Sequence, residues 1–282
     1  MHSEHLCDIC NASMRALFQK KVLGKYAVAY FCCDQCGYIT TEKPYWLDEA
    51  YANAISDLDT GVLSRNLFFR DKLLPIFHGC PSNNGLYLDV SGGYGVFCRL
   101  MRDKGLNFFT TDPYCENLFA KGFEPDDASE AASDGTFQAS VLTLFEVIEH
   151  VENPLVFLRE LMQKYRADTL VFSTELYSGD FPDSSWWYYM FESGQHLSFM
   201  KESTLKVIAS KLDLIHSRVE GNLHILKKEP FPPETAKIIS KHKKAPQLIR
   251  KILEEHREDC LTWADHVYLK EKLLPQDGQD EA

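Results

Sequence analysis

The chain has 282 residues, a formal net charge of −11 and an apolar share of 45%, with 18 Phe and 13 Tyr. That is enough to bury one large α/β core with small appendages, and it does not fit a small secreted scaffold held by disulfides. The acidic balance makes nucleic acid or an anionic membrane surface a poor general partner, and no apolar stretch is long enough to span a bilayer. The opening "MHSEHLCDIC" lacks the basic and apolar regions of a signal peptide, so a soluble, cytoplasmic protein is expected.

Residues 1–40 are Cys-rich and strand-like. Five of the nine cysteines fall within the first 36 residues. Cys7-x-x-Cys10 and Cys33-x-x-Cys36-Gly37 are separated by 22 residues, with the hairpin-like "KVLGKYAVAYF" between them. Two such pairs resemble the knuckles of a zinc ribbon. Four thiolates close a tetrahedral structural site, and the metal supplies folding energy that so short a module cannot get from its core. Cys32 competes with Cys33 for the register, and Cys33 keeps the C-x-x-C spacing. Cys80, Cys98, Cys115 and Cys260 show no pairing pattern and read as core residues or free thiols.

Residues 41–84 read as a helical linker on the core, from "PYWLDEAYANAI" to "LSRNLFFRDKLLPIF", ending in breakers between Gly79 and Gly85. Residues 85–228 alternate strands with helices. The strands are "LYLDV", "NFFTTD", "ASVLTLF", "TLVFSTE", "LIHSRVE" and "LHILKK". The helices are "GVFCRLMRDK", "NPLVFLRELMQKY" and "ESTLKVIASKL", the last with Glu202 and Ser203 at its N-terminal cap. This alternation predicts a parallel, doubly wound sheet. Residues 229–282 begin with the linker "EPFPPE", continue as amphipathic helices and end in the polar, disorder-prone tail "PQDGQDEA".

The chemistry starts after the first strand of the sheet. Asp89 closes that strand, and Ser91, Gly93 and Gly95 alternate along the turn that follows. Small residues let backbone approach a ligand closely. A dinucleotide fingerprint needs a third glycine at 98, where Cys98 stands, so an NAD reading is weakened. Asp112, at the end of the next strand, is placed to accept hydrogen bonds from ribose hydroxyls.

This pattern resembles the first motif of class I S-adenosylmethionine-dependent methyltransferases, acidic-x-Gly-x-Gly-x-Gly, with Ser91 at the first glycine. Serine fits there if its φ is negative. "FQASVLTLFEVIEHVENP" is similar to the fourth-strand motif of the subgroup that contains ubiquinone-biosynthesis O-methyltransferases. "GQHLSFMKESTLKVIASKLDL" is similar to that group's later His-x-x-Phe segment. The resemblance covers residues 85 to about 228. It implies a Rossmann-like, seven-stranded methyltransferase sheet, an S-adenosylmethionine cofactor and ribose binding by Asp112.

Glu146, Glu149 and His150 stand at i, i+3 and i+4, and would share one face if that turn is helical. With His196 they offer two carboxylates and two imidazoles to a divalent cation. Ubiquinone-type and small-RNA 3′-end methyltransferases resemble this set and use such a metal, which would lower the pKa of a substrate hydroxyl. The other reading has Glu149 and His150 orienting the pocket loop while His196 alone acts as general base. Sugar C-methyltransferases with an N-terminal zinc module carry a Glu-His pair near this point. Gln195-His196 stands here instead, and glutamine cannot serve as an ionisable base. Trp186, Trp187, Tyr188 and Tyr189 are consecutive, and no regular element buries four adjacent rings on one face. Packing takes most of them, leaving one or two for an acceptor.

The expectation is an S-adenosylmethionine-dependent methyltransferase with an N-terminal zinc ribbon. It acts on a small hydroxylated acceptor such as a sugar or glycan end, with O-methylation favoured over C-methylation. An RNA 2′-O-methyltransferase is the first rival. The acidic charge opposes it, and the basic run "KIISKHKKAP" reads as a solvated helix face. A non-catalytic scaffold with a vestigial fold is the second rival.

Overall fold

A computed structural model of the chain describes residues 5–51, 59–126, 136–241 and 244–273. The tail "PQDGQDEA" and part of the basic run lie outside them. Internal packing divides the chain into two units, residues 1–62 with 140–231, and residues 63–139 with 232–282. No helix among the described residues is long and apolar enough to cross a membrane.

In the first unit, β1 (Arg15–Val22) and β2 (Tyr26–Cys32) form an antiparallel hairpin that turns at Leu23 and Gly24. β3 (Ile39–Thr41) pairs with β2. The same unit holds β6 (Val141–Phe145), β7 (Thr169–Ser173), β8 (Ser198–Phe199), β9 (Ile215–Arg218) and β10 (Leu223–Lys227). β8 pairs with β3, so the N-terminal sheet has four strands in the order β1-β2-β3-β8. Its inner face shares one apolar cluster with the later chain: Val28, Tyr30 and Ile39 pack with Tyr188, Tyr189 and Phe199. A short module that could not bury a core alone thus borrows one.

The second unit contains β4 (Tyr87–Val90) and β5 (Phe108–Thr111), paired in parallel across a crossover helix. The helices in chain order are α1 (Leu47–Ala50), α2 (Val62–Gly79), the crossover helix α3 (Val96–Arg102), α4 (Pro154–Tyr165), α5 (Glu202–Lys211), α6 (Pro233–Lys241), α7 (Pro246–Glu255) and α8 (Thr262–Leu273). The six strand segments and three helix segments read from residues 85–228 all form as regular elements. α4 starts at Pro154 with Asn153 as its cap, its side chain accepting from the Val156 N–H.

The large sheet runs β5-β4-β6-β7-β10-β9. Among the described residues the sheet has six strands where seven are expected, and residues 127–135, between β5 and β6, lie outside them. One expectation is corrected here: the sheet is mixed, not parallel, because β10 runs antiparallel to both β7 and β9. Only a short turn joins β9 to β10, and a short turn can connect only antiparallel neighbours.

The cap of α5 also differs from the sequence reading. Its N-cap is Lys201, and Glu202 is already helical. The Thr204 hydroxyl accepts from the Lys201 N–H at 3.1 Å. Ser203 and Thr204 both donate to the Cys36 carbonyl, at 2.8 and 2.9 Å, which takes Ser203 away from capping.

Candidate active site and cysteine cluster

The glycine turn belongs to the second unit. Asp89 is buried at the end of β4. Ser91, Gly93 and Gly95 all have positive φ, at 54°, 58° and 81°. Ser91 therefore does not take the negative φ expected of it. The turn demands the left-handed region where a glycine would be free and a serine is strained. Ser91→Gly is expected to raise stability by about 1 kcal/mol, the relief of that strain less the added freedom of the unfolded chain. A thermal melt of the two proteins checks it.

Gly92 was not singled out in the sequence. A Cβ there would lie 2.4 Å from Thr110 Oγ1 and 2.5 Å from Asp89 Oδ2. The doubled glycine was its only sequence signal. A Cβ on Gly93 would meet nothing within 4 Å, so that side of the turn is open. Asp112 ties the turn down. Its Oδ2 accepts from the Gly93 N–H at 2.9 Å, and its Oδ1 accepts from the N–H groups of Tyr114 and Cys115, both at 2.8 Å. A carboxylate offers about four acceptor sites, so one remains.

The acidic–histidine turn belongs to the first unit. It follows β6 and is helical only as a single 3₁₀ turn, Ile148–His150. Glu146 precedes that turn with φ 54°. Ser173 holds it at both ends: its hydroxyl accepts from the Glu146 N–H at 2.8 Å and donates to Glu146 Oε1 at 2.6 Å. Glu149, His150 and His196 come together, with one ligand atom of each within 4.8 Å of the others. Glu146 stands outside that group. The expected common face fails because the backbone at Glu146 is left-handed.

Glu149 is fully buried. Its Oε1 accepts from the Tyr188 hydroxyl at 2.7 Å, and its Oε2 has no hydrogen-bond partner. Burial, with the nearby Glu146 charge, pushes its carboxyl up to about 8. His196 Nδ1 lies 2.7 Å from the Tyr188 carbonyl. A carbonyl only accepts, so Nδ1 carries the hydrogen and Nε2 carries the lone pair. His150 Nδ1 lies 3.0 Å from the Tyr51 hydroxyl. Burial pushes His196 down to about 4 and His150 well below its usual range. Both rings are neutral at pH 7, the form in which imidazole acts as ligand or base.

Of the four consecutive aromatics, Tyr188 and Tyr189 are buried and Trp186 packs on Tyr177, Tyr189 and Phe199. Trp187 is 67% exposed. The Gln195 amide donates to the Ala50 carbonyl at 2.8 Å and is buried. Tyr51 and Tyr188 touch the cluster through their hydroxyls; Tyr51 carried no motif that would have marked it, and Tyr188 was marked only as one of the four consecutive rings.

The thiols of Cys7, Cys10, Cys33 and Cys36 form a second group. Cys7 and Cys36 sulfurs are 3.6 Å apart, and those of Cys10 and Cys33 are 3.4 Å apart. Four sulfurs around a tetrahedral zinc at ~2.3 Å lie ~3.8 Å from one another, so the spacing suits a metal and is far too long for a disulfide. Cys33 is in this group. Cys32 points into the apolar cluster beside Tyr30 and Ile39. The bond shared with Cys36 holds the Cys7 thiol down to about 5 against the opposing effect of burial, and it pushes Cys36 up. Gly37, at φ 76°, closes the second knuckle and donates its N–H to the Cys33 carbonyl at 2.9 Å.

No curated protein matches the chain in sequence. Among solved structures it is similar to TnmH, at 16% identity and a TM-score of 0.44, over 66% of this chain and 62% of that one. It is similar to the mitomycin 7-O-methyltransferase MmcR at 15% identity and a TM-score of 0.39, over 66% of this chain and 60% of that one. A third is magnesium protoporphyrin IX methyltransferase (ChlM) from Synechocystis PCC 6803 with bound SAH, at 12% identity and a TM-score of 0.40, over 64% and 90%. The chain thus spans about three-fifths of the first two structures. A family model described as a methyltransferase domain matches residues 64–215, more than half of the chain. The glycine turn, Asp112 and the acidic–histidine turn all fall inside that match, and the chain belongs to the methyltransferase domain family.

Proposed function

We propose that the protein transfers a methyl group from S-adenosylmethionine to a hydroxyl of a small acceptor such as a sugar or glycan end. The observation that carries the acceptor half is the Glu149–His150–His196 cluster, in which one oxygen of the buried Glu149 carboxylate has no partner. An oxygen left so in a protein interior costs on the order of 1–3 kcal/mol, and a cation would satisfy it. Glu149 Oε2, His196 Nε2 and His150 would hold a divalent cation. Such an ion lowers the pKa of an acceptor hydroxyl. Glu146, clamped by Ser173, is left out of this set.

Asp89 and the turn of Ser91, Gly93 and Gly95 would hold the methionine end and backbone of the donor. The open side of Gly93 gives its backbone room, and the remaining acceptor site of Asp112 takes a ribose hydroxyl. The sulfonium is already an electrophile, so the protein mainly positions it in line with the acceptor and receives a proton. His196 Nε2, with its lone pair fixed by the Tyr188 carbonyl, is the base if no cation binds.

Calorimetry tests the donor half. The wild type is expected to bind S-adenosylmethionine, and Asp112→Ala to bind it at least about tenfold weaker, the loss of roughly one charge-assisted hydrogen bond. No binding by the wild type would sink the reading. Labelled methyl transfer screened over sugar nucleotides, glycans, phenols and RNA tests the acceptor. Transfer confined to RNA would overturn the small-molecule assignment.

The four-cysteine cluster is assigned to one structural zinc, since four thiolates leave no position for substrate. Elemental analysis of protein purified without chelator is expected to give one tightly bound zinc per chain. Cys33→Ser should lose it and Cys32→Ser should keep it. The opposite pattern would move the register.

A further inference from the structure

We infer that Tyr188 is the positioning residue of the acceptor-side cluster, its hydroxyl setting the Glu149 carboxylate and its carbonyl setting the His196 ring. The inference rests on the reading that this cluster holds a divalent cation. Tyr188 lies in the 3₁₀ turn Trp187–Tyr189 and is 2% exposed. Its hydroxyl accepts from the Glu175 N–H at 3.1 Å and lies 3.3 Å from Thr174 Oγ1. A phenol has one hydrogen to give and two lone pairs. The Glu175 N–H can only donate, which uses one lone pair, and the Glu149 carboxylate can only accept. The one hydrogen then goes to Glu149 Oε1, 2.7 Å away.

Two consequences follow for the carboxylate. It is held in one rotation, and Oε2 is the oxygen left for a ligand, which is the oxygen that has no partner. On its main chain, the same residue accepts the His196 Nδ1–H at 2.7 Å, and its ring lies 4.7 Å from the imidazole. That fixes the tautomer that turns Nε2 out as a donor atom. One residue thus sets two of the three ligand atoms. Groups that orient ligands in this way are worth roughly 10- to 100-fold in metal affinity.

Tyr188→Phe removes the hydroxyl and keeps the ring and the carbonyl. Tyr189→Phe is the matched control. Its hydroxyl donates to the Pro182 carbonyl at 3.0 Å in the same aromatic cluster, and it does not touch Glu149. The experiment titrates the zinc-loaded full chain with Mn²⁺, followed by electron paramagnetic resonance. Glu149→Ala marks the site, and methyl transfer is assayed in parallel. Tyr188→Phe is expected to weaken Mn²⁺ binding about 10- to 100-fold. It should lower kcat with the KM for S-adenosylmethionine unchanged, and saturating Mn²⁺ should restore kcat. Tyr189→Phe should bind as the wild type does.

Wild-type Mn²⁺ affinity in Tyr188→Phe, with binding lost in Glu149→Ala, would overturn the inference and leave the metal reading standing. Equal losses in both phenylalanine variants would overturn it too, since they report packing alone. If Glu149→Ala binds Mn²⁺ as the wild type does, the metal reading falls and the inference with it.

Discussion

His196→Ala is expected to lower methyl transfer by about 10²- to 10⁴-fold, with the affinity for S-adenosylmethionine unchanged. The two halves of this expectation come from different parts of the chain. The donor contacts are assigned to Asp89, the turn 91–95 and Asp112, none of which the substitution alters. The acceptor chemistry is assigned to a cluster in which His196 offers the one nitrogen with a fixed lone pair. Whether Nε2 takes the proton itself or holds a cation that acidifies the hydroxyl, alanine removes it. A second loss comes with the ring, since the buried Glu149 and the half-buried His150 are left without their third neighbour. Single-turnover transfer of labelled methyl, set beside calorimetry of donor binding, checks both halves. Activity within about threefold of the wild type would take His196 out of the chemistry, since a positioned base or ligand contributes far more.

Asp265→Ala is expected to cost about 3–5 kcal/mol of stability. Arg102 is 5% exposed, and its guanidinium donates to Asp265 Oδ1 at 2.6 Å and Oδ2 at 2.8 Å. Arg99 adds a bond to Oδ2 at 2.7 Å. The Arg102 guanidinium also lies 3.7 Å over the Phe123 ring and donates to Asn107 Oδ1 and the Phe108 carbonyl. Removing Asp265 leaves a buried cation without its counter-charge, which is the expensive way to break such a pair. In this size class the melting temperature should fall by on the order of 10 °C. Replacing both partners by apolar residues, Arg102→Met with Asp265→Leu, should recover most of the loss.

The pair also fixes a sign for pH. Burial raises the Asp265 carboxyl, but the hydrogen bonds and charges of Arg102 and Arg99 outweigh it and hold it below the usual value of 3.8. Its contribution is therefore complete above that value and is lost as the pH falls through the lowered one. Chemical denaturation from pH 5 downward, with Asp265→Ala as reference, reads it.

Much of this was legible before the structure. Strands such as "LYLDV" and "ASVLTLF" carry short apolar runs, and the helix at Pro154–Tyr165 carries amphipathic spacing, while the cap read at Glu202 and Ser203 falls on Lys201 instead. The cysteine spacing alone separated Cys33 from Cys32. What stayed hidden depended on backbone sign or on distance along the chain. Nothing in "FEVIEH" says that Glu146 is left-handed, so the motif read as one helical face when it is a strand end followed by a short turn. Ser91 hid the same feature. Arg102 and Asp265 are 163 residues apart, and neither stands in a pattern that names the other. Tyr188 was one ring among four, and only its burial shows where the hydroxyl goes.

The pairing of β3 with β8 has a consequence for how the chain folds. Tyr38 and Ser198 bond at 2.7 Å across a separation of 160 residues. As the chain emerges from the ribosome, the hairpin of β1 and β2 can form at once, since its contacts are local. The third strand then waits with an open edge, and Tyr30, already stacked on Phe18, and Ile39 wait without Tyr188, Tyr189 and Phe199 until residues 177–199 have been made. Contacts of such span form late and slowly. Metal captured by the four cysteines would hold the early module in shape through that interval, so zinc would act here on the kinetics of assembly as well as on its end point.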